Sequence, residues 1–114
     1  MSFASFTTSY IQTALWSSID DNGDPMNSKY NMYDISEETM VKIYDDCLKF
    51  YNENCSLWED DETAGHDFWL TRNHSGAGFW DGDYPENGDL LTEKSHTFGD
   101  YNLYIGDDGL IYGT

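Results

Sequence analysis

The chain has 114 residues, 39% of them hydrophobic and 17% aromatic, with 22 acidic against 5 basic side chains for a net charge of -17. That length makes one domain, residues 1–114, with room for a core, and the aromatic content excludes disorder. The charge lies far beyond the magnitude of about 2–8 usual for a small domain; it argues against affinity for nucleic acid or an anionic membrane and asks for a basic partner.

Thr7 to Ile19 places Tyr10, Ile11, Ala14, Leu15 and Ile19 at helical spacing, with Thr7 or Thr8 as N-cap. Asp20-Asp21-Asn22-Gly23-Asp24-Pro25 stops it with turn-forming residues. A second helix starts at Ser36, where Ile35 and Met40 form a hydrophobic staple across the N-cap. Met40, Tyr44, Cys47, Leu48, Tyr51, Cys55 and Trp58 step along its inner face, flanked by Ile43, Phe50 and Leu57. Lys42, Asp45, Asp46, Lys49, Asn52 and Glu53 fall on the opposite face. Cys47 and Cys55, eight residues apart on one helix, sit roughly 12 Å apart at ~1.5 Å per residue. That is too far for a disulfide, so they read as reduced thiols. The run Glu59-Asp60-Asp61-Glu62 then falls at the helix C-terminus, where each carboxylate opposes the macrodipole at about 0.3–1 kcal/mol.

His66–Arg72 and Ala77–Asp81, each carrying a Phe-Trp pair, flank Asn73-His74-Ser75-Gly76 and predict a β-hairpin, since aromatics suit a half-buried pleated surface. A short helix follows over Gly88–Phe98, with Gly99 as its C-terminal stop. Tyr101–Ile105 and Leu110–Tyr112, joined by Gly106-Asp107-Asp108-Gly109, predict a second hairpin. The expected fold is α+β: two N-terminal helices, a hairpin, a short helix and a hairpin, with the strands in one antiparallel sheet and helices packed on a face.

The chemistry offers three readings. Carboxylates at helical spacings can stand where a DNA-binding protein expects phosphates. The residues placed in that role are Glu37, Glu38, Asp45, Asp46, Glu53, Glu59, Asp60, Asp61 and Glu62, with Asp81 and Asp83 as a second patch. Calcium is a weaker fit: Asp20, Asn22 and Asp24 match the first ligands of an EF-hand loop, but Pro25 takes the glycine position and Asn31 the final glutamate's. No cofactor or metal is expected. Catalysis would draw on His66, Asp67, Arg72 and His74 of the hairpin, but metal-binding helix spacings, nucleophile elbows and phosphate loops are missing from the sequence. The only arginine among 22 acids reads as a structural tie.

The blocks Gly65-His66-Asp67-Phe68-Trp69-Leu70-Thr71-Arg72-Asn73, Gly76-Ala77-Gly78-Phe79-Trp80-Asp81 and Leu103-Tyr104-Ile105-Gly106-Asp107-Asp108-Gly109 resemble a family of small acidic proteins encoded by tailed bacteriophages. The resemblance covers about the last 50 residues and implies a phage origin and the host cytoplasm. It carries no activity with it. The expectation is an acidic DNA mimic that inhibits a basic, nucleic-acid-binding host protein, such as a restriction, CRISPR or repair enzyme. It would bind no nucleic acid directly. The alternatives are a small enzyme or ligand binder built on the His66–Asp81 hairpin, and a phage adaptor whose charge serves solubility. No apolar run approaches the roughly 20 residues of a membrane span, and the start lacks the basic and apolar regions of a secretory signal. Homodimerisation through the aromatic-rich helices stays open.

Overall fold

A computed structural model describes residues 2–114. Four helices dominate it: α1 (Phe3–Ser17), α2 (Glu37–Asn54), α3 (Asp61–Arg72) and α4 (Gly88–His96). Two short strands, β1 (Leu103–Ile105) and β2 (Ile111–Gly113), pair antiparallel with Tyr104 opposite Tyr112. This is the one sheet among the described residues. The expected four-stranded sheet with helices on its face is therefore incorrect, and the first hairpin does not exist.

Where the hairpin was expected, His66–Arg72 lies in α3. The helix begins at Asp60, whose carboxylate accepts the Thr63 backbone N–H at 3.1 Å and the Thr63 hydroxyl. Asp61 and Glu62 occupy its first turn, where the helix dipole favours negative charge. The acidic run thus stabilises the start of α3; it does not oppose the end of α2, which closes at Asn54 through a 3₁₀ turn, Cys55–Leu57. At the other end, Asn73-His74-Ser75 forms a Schellman stop: Ser75 N–H bonds Leu70 O at 2.9 Å and His74 N–H bonds Thr71 O at 3.1 Å. His74 takes the left-handed position at φ 55°, which ordinarily selects glycine. Phe79 and Trp80 follow in an irregular segment, the first buried and the second exposed.

α1 packs chiefly against α3, and α2 packs on α1 and reaches α3 through side chains, Phe50 on Phe68 and Asp46 on Arg72. Contact is close because Gly65 of α3 sits on the backbone of Phe6, with no room for a side chain. Between the helices runs an aromatic core of Phe6, Phe50, Trp58, Phe68 and Phe79. Phe50 and Phe68 stack with ring centres 4.0 Å apart, and Phe6 lies parallel to Trp58 at 5.4 Å. Such pairs add about 0.5–1.5 kcal/mol each beyond the area they bury.

Two other expectations shift. α1 starts at Phe3 with Ser2 as N-cap, ahead of Thr7 and Thr8. α2 keeps its Ser36 cap, which accepts the Thr39 N–H, but its buried face centres on Ile43, Cys47 and Phe50. Asp46 therefore points inward, and Tyr44 and Leu48 point out. The C-terminal hairpin is as expected. Gly109, at φ +81°, makes its turn, and Asp108 accepts the Leu110 N–H and the Tyr112 hydroxyl.

Candidate acidic interaction surface

The eleven carboxylates singled out in the sequence divide into two structural groups. Asp46 and Asp61 are buried and committed. Asp46 pairs with Arg72 at 2.9 Å and Lys42 at 3.0 Å, while Asp61 accepts the Trp58 indole N–H at 2.8 Å and the Ser2 backbone N–H. Neither is available to a partner, so both leave the candidate surface. The other nine are exposed: Glu37, Glu38, Asp45, Glu53, Glu59, Asp60, Glu62, Asp81 and Asp83.

Position decides how much field these nine project. On α2, Glu37 and Glu38 sit in the first turn, where they also complement the helix dipole. Asp45 and Glu53 bracket Lys49 at four-residue steps, an arrangement that balances charge locally. The denser concentration lies elsewhere. Glu59 and Asp60, before α3, meet Asp83 and Glu86 from the following loop across a cleft of about 760 Å³. Trp58 and Tyr84 also line it, and Asn87 bridges its wall by donating to Leu57 O at 3.0 Å. Among the described residues lining this cleft, none is basic. The fold thus joins two acidic patches more than twenty residues apart in sequence. Glu86, which joins the sequence-predicted residues here, sits in the same acidic turn as Asp83 and could have been taken with it.

Behind the cleft lies one carboxylate that the charge pattern alone did not distinguish. Asp67 on α3 is buried and accepts the Tyr84 hydroxyl at 2.9 Å. Burial holds its carboxyl above the usual carboxylate range, and the nearby Asp81 and Asp83 push the same way against the Tyr84 hydrogen bond. A carboxyl whose pKa is raised by folding binds its proton more tightly folded than unfolded. Its contribution to stability therefore falls as pH rises from the unfolded value through the folded one, and stays low above both. Asp67→Asn, which keeps an acceptor for Tyr84, is expected to raise the melting temperature at pH 7 and to remove that falling limb. Melting curves of both proteins from pH 4 to 8 check this; a lower melting temperature for the variant at pH 7 refutes it. Asp20, Asp60 and Asp108 act oppositely. Their carboxyls are held low, chiefly by the Asp24 N–H, the Thr63 hydroxyl and the Tyr112 hydroxyl, so their contribution is lost as pH falls.

The groups considered for catalysis are dispersed. Arg72 is 1% exposed and donates to Asp46 and the Tyr10 hydroxyl through Nη1, to Gly99 O through Nε and to Phe98 O through Nη2. Four of its five N–H donors are thus spent inside the fold. His66 Nδ1 lies 2.8 Å from the Thr13 hydroxyl, whereas exposed His74 stacks on His96 at the far end of α3. The hairpin expected to unite these groups is a helix that separates them. Asp20, the first of the EF-hand-like set, turns onto its own loop, accepting the Asn22 and Asp24 N–H groups. Among the described residues no group of three or more His, Cys, Asp or Glu is placed to hold a metal. Among the described residues no helix is long and apolar enough to cross a membrane.

Comparison with family models, curated proteins and solved structures yields no match to this chain.

Proposed function

We propose that the protein is a phage-encoded acidic DNA mimic that binds a basic, nucleic-acid-binding host protein and inhibits it. The observation that carries the reading is the density of net charge. Net -17 is borne on a body 43 Å long, about 0.4 charges per Å, against about 0.6 per Å for duplex DNA at one per ~1.7 Å. The balance is one-sided by position as well. Of the five cations, Arg72 is buried, Lys29 is paired with Asp20 and Asp24, and Lys42 is paired with Asp46, which leaves exposed Lys49 and Lys94 against many more exposed carboxylates. The phage origin rests on the resemblance of the C-terminal blocks, and the inhibitory role on the electrostatic equivalence of carboxylate and phosphate.

The working surface is the Trp58–Asn87 cleft with the exposed carboxylates that line it, Glu59, Asp60, Asp83 and Glu86. The test is capture of host proteins on the immobilised chain at low and high salt, with duplex DNA as competitor. A captured partner should elute with DNA and lose roughly 10³-fold or more in affinity between 0.05 and 0.2 M salt. Salt-insensitive binding, or DNA and this chain bound together on one partner, refutes the reading. In a purified complex, Asp60→Asn with Asp83→Asn should weaken binding more than Asp45→Asn with Glu53→Gln, since the cleft has no lysine to offset it.

A further inference from the structure

α2 carries more apolar surface than the core uses. At 100° per residue, Tyr44, Leu48 and Val41 follow directly on the arc begun by buried Cys47 and Tyr51. They extend past the cover that α1 and α3 provide and remain 51%, 47% and 64% exposed. Their spacing of three and four residues makes a continuous seam, the pattern by which one helix packs on another. Isolated surface hydrophobics need no explanation, but a contiguous row does. The seam continues off the helix. Val41 shares a groove of about 580 Å³ with Leu110 and Tyr112 of the C-terminal hairpin, edged by Glu37 and Glu38. At the other side Tyr44 leans on Phe3, the ring centres 6.1 Å apart.

We infer that this seam is the docking face for a cationic amphipathic helix of the partner protein, its apolar stripe on Val41, Tyr44, Leu48 and Leu110. The charge around the seam chooses the occupant. Glu37, Glu38 and Asp45 border it; of the two cations on that flank, Lys42 is engaged by Asp46 and Lys49 stands four residues from both Asp45 and Glu53, leaving the border net acidic. A second copy of the chain would bring the same border and another net -17 to within a Debye length of about 8 Å. A helix with Lys or Arg beside its apolar stripe gains from both. The inference rests on the charge reading above for the sign of the partner and adds an apolar anchor to it. Charge steers and selects; the seam supplies the desolvated contacts that hold.

The experiment uses two peptides of about 18 residues and identical Leu/Lys composition, one patterned as an amphipathic helix and one scrambled. Binding to the full chain is measured by fluorescence anisotropy at 0.15 M salt. The patterned peptide should bind at least about ten-fold tighter, and Val41→Ser with Leu48→Ser should abolish that advantage while leaving the scrambled peptide's affinity unchanged. Both sites are on the surface, and circular dichroism verifies the fold. Equal binding of the two peptides to the unaltered chain overturns the seam but leaves the charge reading standing. Failure of both peptides to bind even at 0.05 M salt overturns both. Sedimentation showing a dimer that the double variant dissolves also overturns the inference, by giving the seam to a second copy.

Discussion

Arg72→Ala is expected to cost about 3–5 kcal/mol, because it leaves Asp46 in the interior without its principal counter-charge. A domain of this kind is stable by only about 5–15 kcal/mol, so the variant should melt more than about 10 °C below the parent or fail to accumulate folded. The cost is not confined to the ion pair. The guanidinium also holds Tyr10 of α1 and the carbonyls of Phe98 and Gly99 after α4, and it sits 5.4–5.8 Å from the ring centres of Phe68, Phe98 and Tyr101. Arg72→Met combined with Asp46→Leu removes both charges and should recover much of the loss, since apolar residues of similar volume often replace a buried pair without penalty. Chemical denaturation of the three proteins decides it. An Arg72→Ala protein as stable as the parent would contradict the buried pair and reopen a surface role for the guanidinium.

Gly65→Ala separates the helical from the hairpin reading of the central segment by the sign of its effect. In the middle of an unencumbered helix the change would stabilise by about 1 kcal/mol through backbone entropy. Here the added methyl meets the Phe6 carbonyl, a backbone group that cannot turn aside, so α1 and α3 must separate. Overpacking of this sort costs about 1–3 kcal/mol and occasionally more, enough to outweigh the propensity gain. Gly65→Val should be worse still. Thermal melts of the two variants give the answer, and an alanine variant more stable than the parent would mean that the helices do not meet at this point.

The parts of the fold that could be read from sequence are those whose signals are local. Ser36 as an N-cap, the Asp-Gly turn at 108–109 and the left-handed Gly99 just past the end of α4 each depend on a few neighbouring residues. α3 was not readable in that way. Six successive residues, Asp67–Arg72, are buried, because α1 packs on one side and α2 and α4 approach from others. A helix covered on most sides loses its 3.6-residue alternation, and the Phe-Trp pairs then suggest strands. One local clue did exist: four carboxylates that made no sense as the end of α2 make good sense as the beginning of another helix. The misplaced face of α2 has a similar origin. Its apolar arc was too wide to show which part would be buried, and only the position of α3 settles that Asp46 goes in while Leu48 stays out. The convergence of Glu59 and Asp60 with Asp83 and Glu86 depends on where α3 turns the chain, so no periodicity could have announced it.

The partners of Arg72 also bear on how the chain reaches this state. They come from α1, from α2 and from the turn after α4, at separations of 62, 26 and 26–27 residues along the chain. α1 likewise finds α3 only after the whole of α2 has been spanned. Such distant pairings cost loop-closure entropy before any contact repays it, so the protein should fold more slowly than a bundle of sequential neighbours. Until the last of these segments arrives, the guanidinium has exchanged water for an incomplete shell. Intermediates that have docked some elements but not others carry that penalty, and unfolding one element of the native state exposes the rest to it. A single cation thereby makes four separate pieces of chain rise and fall together.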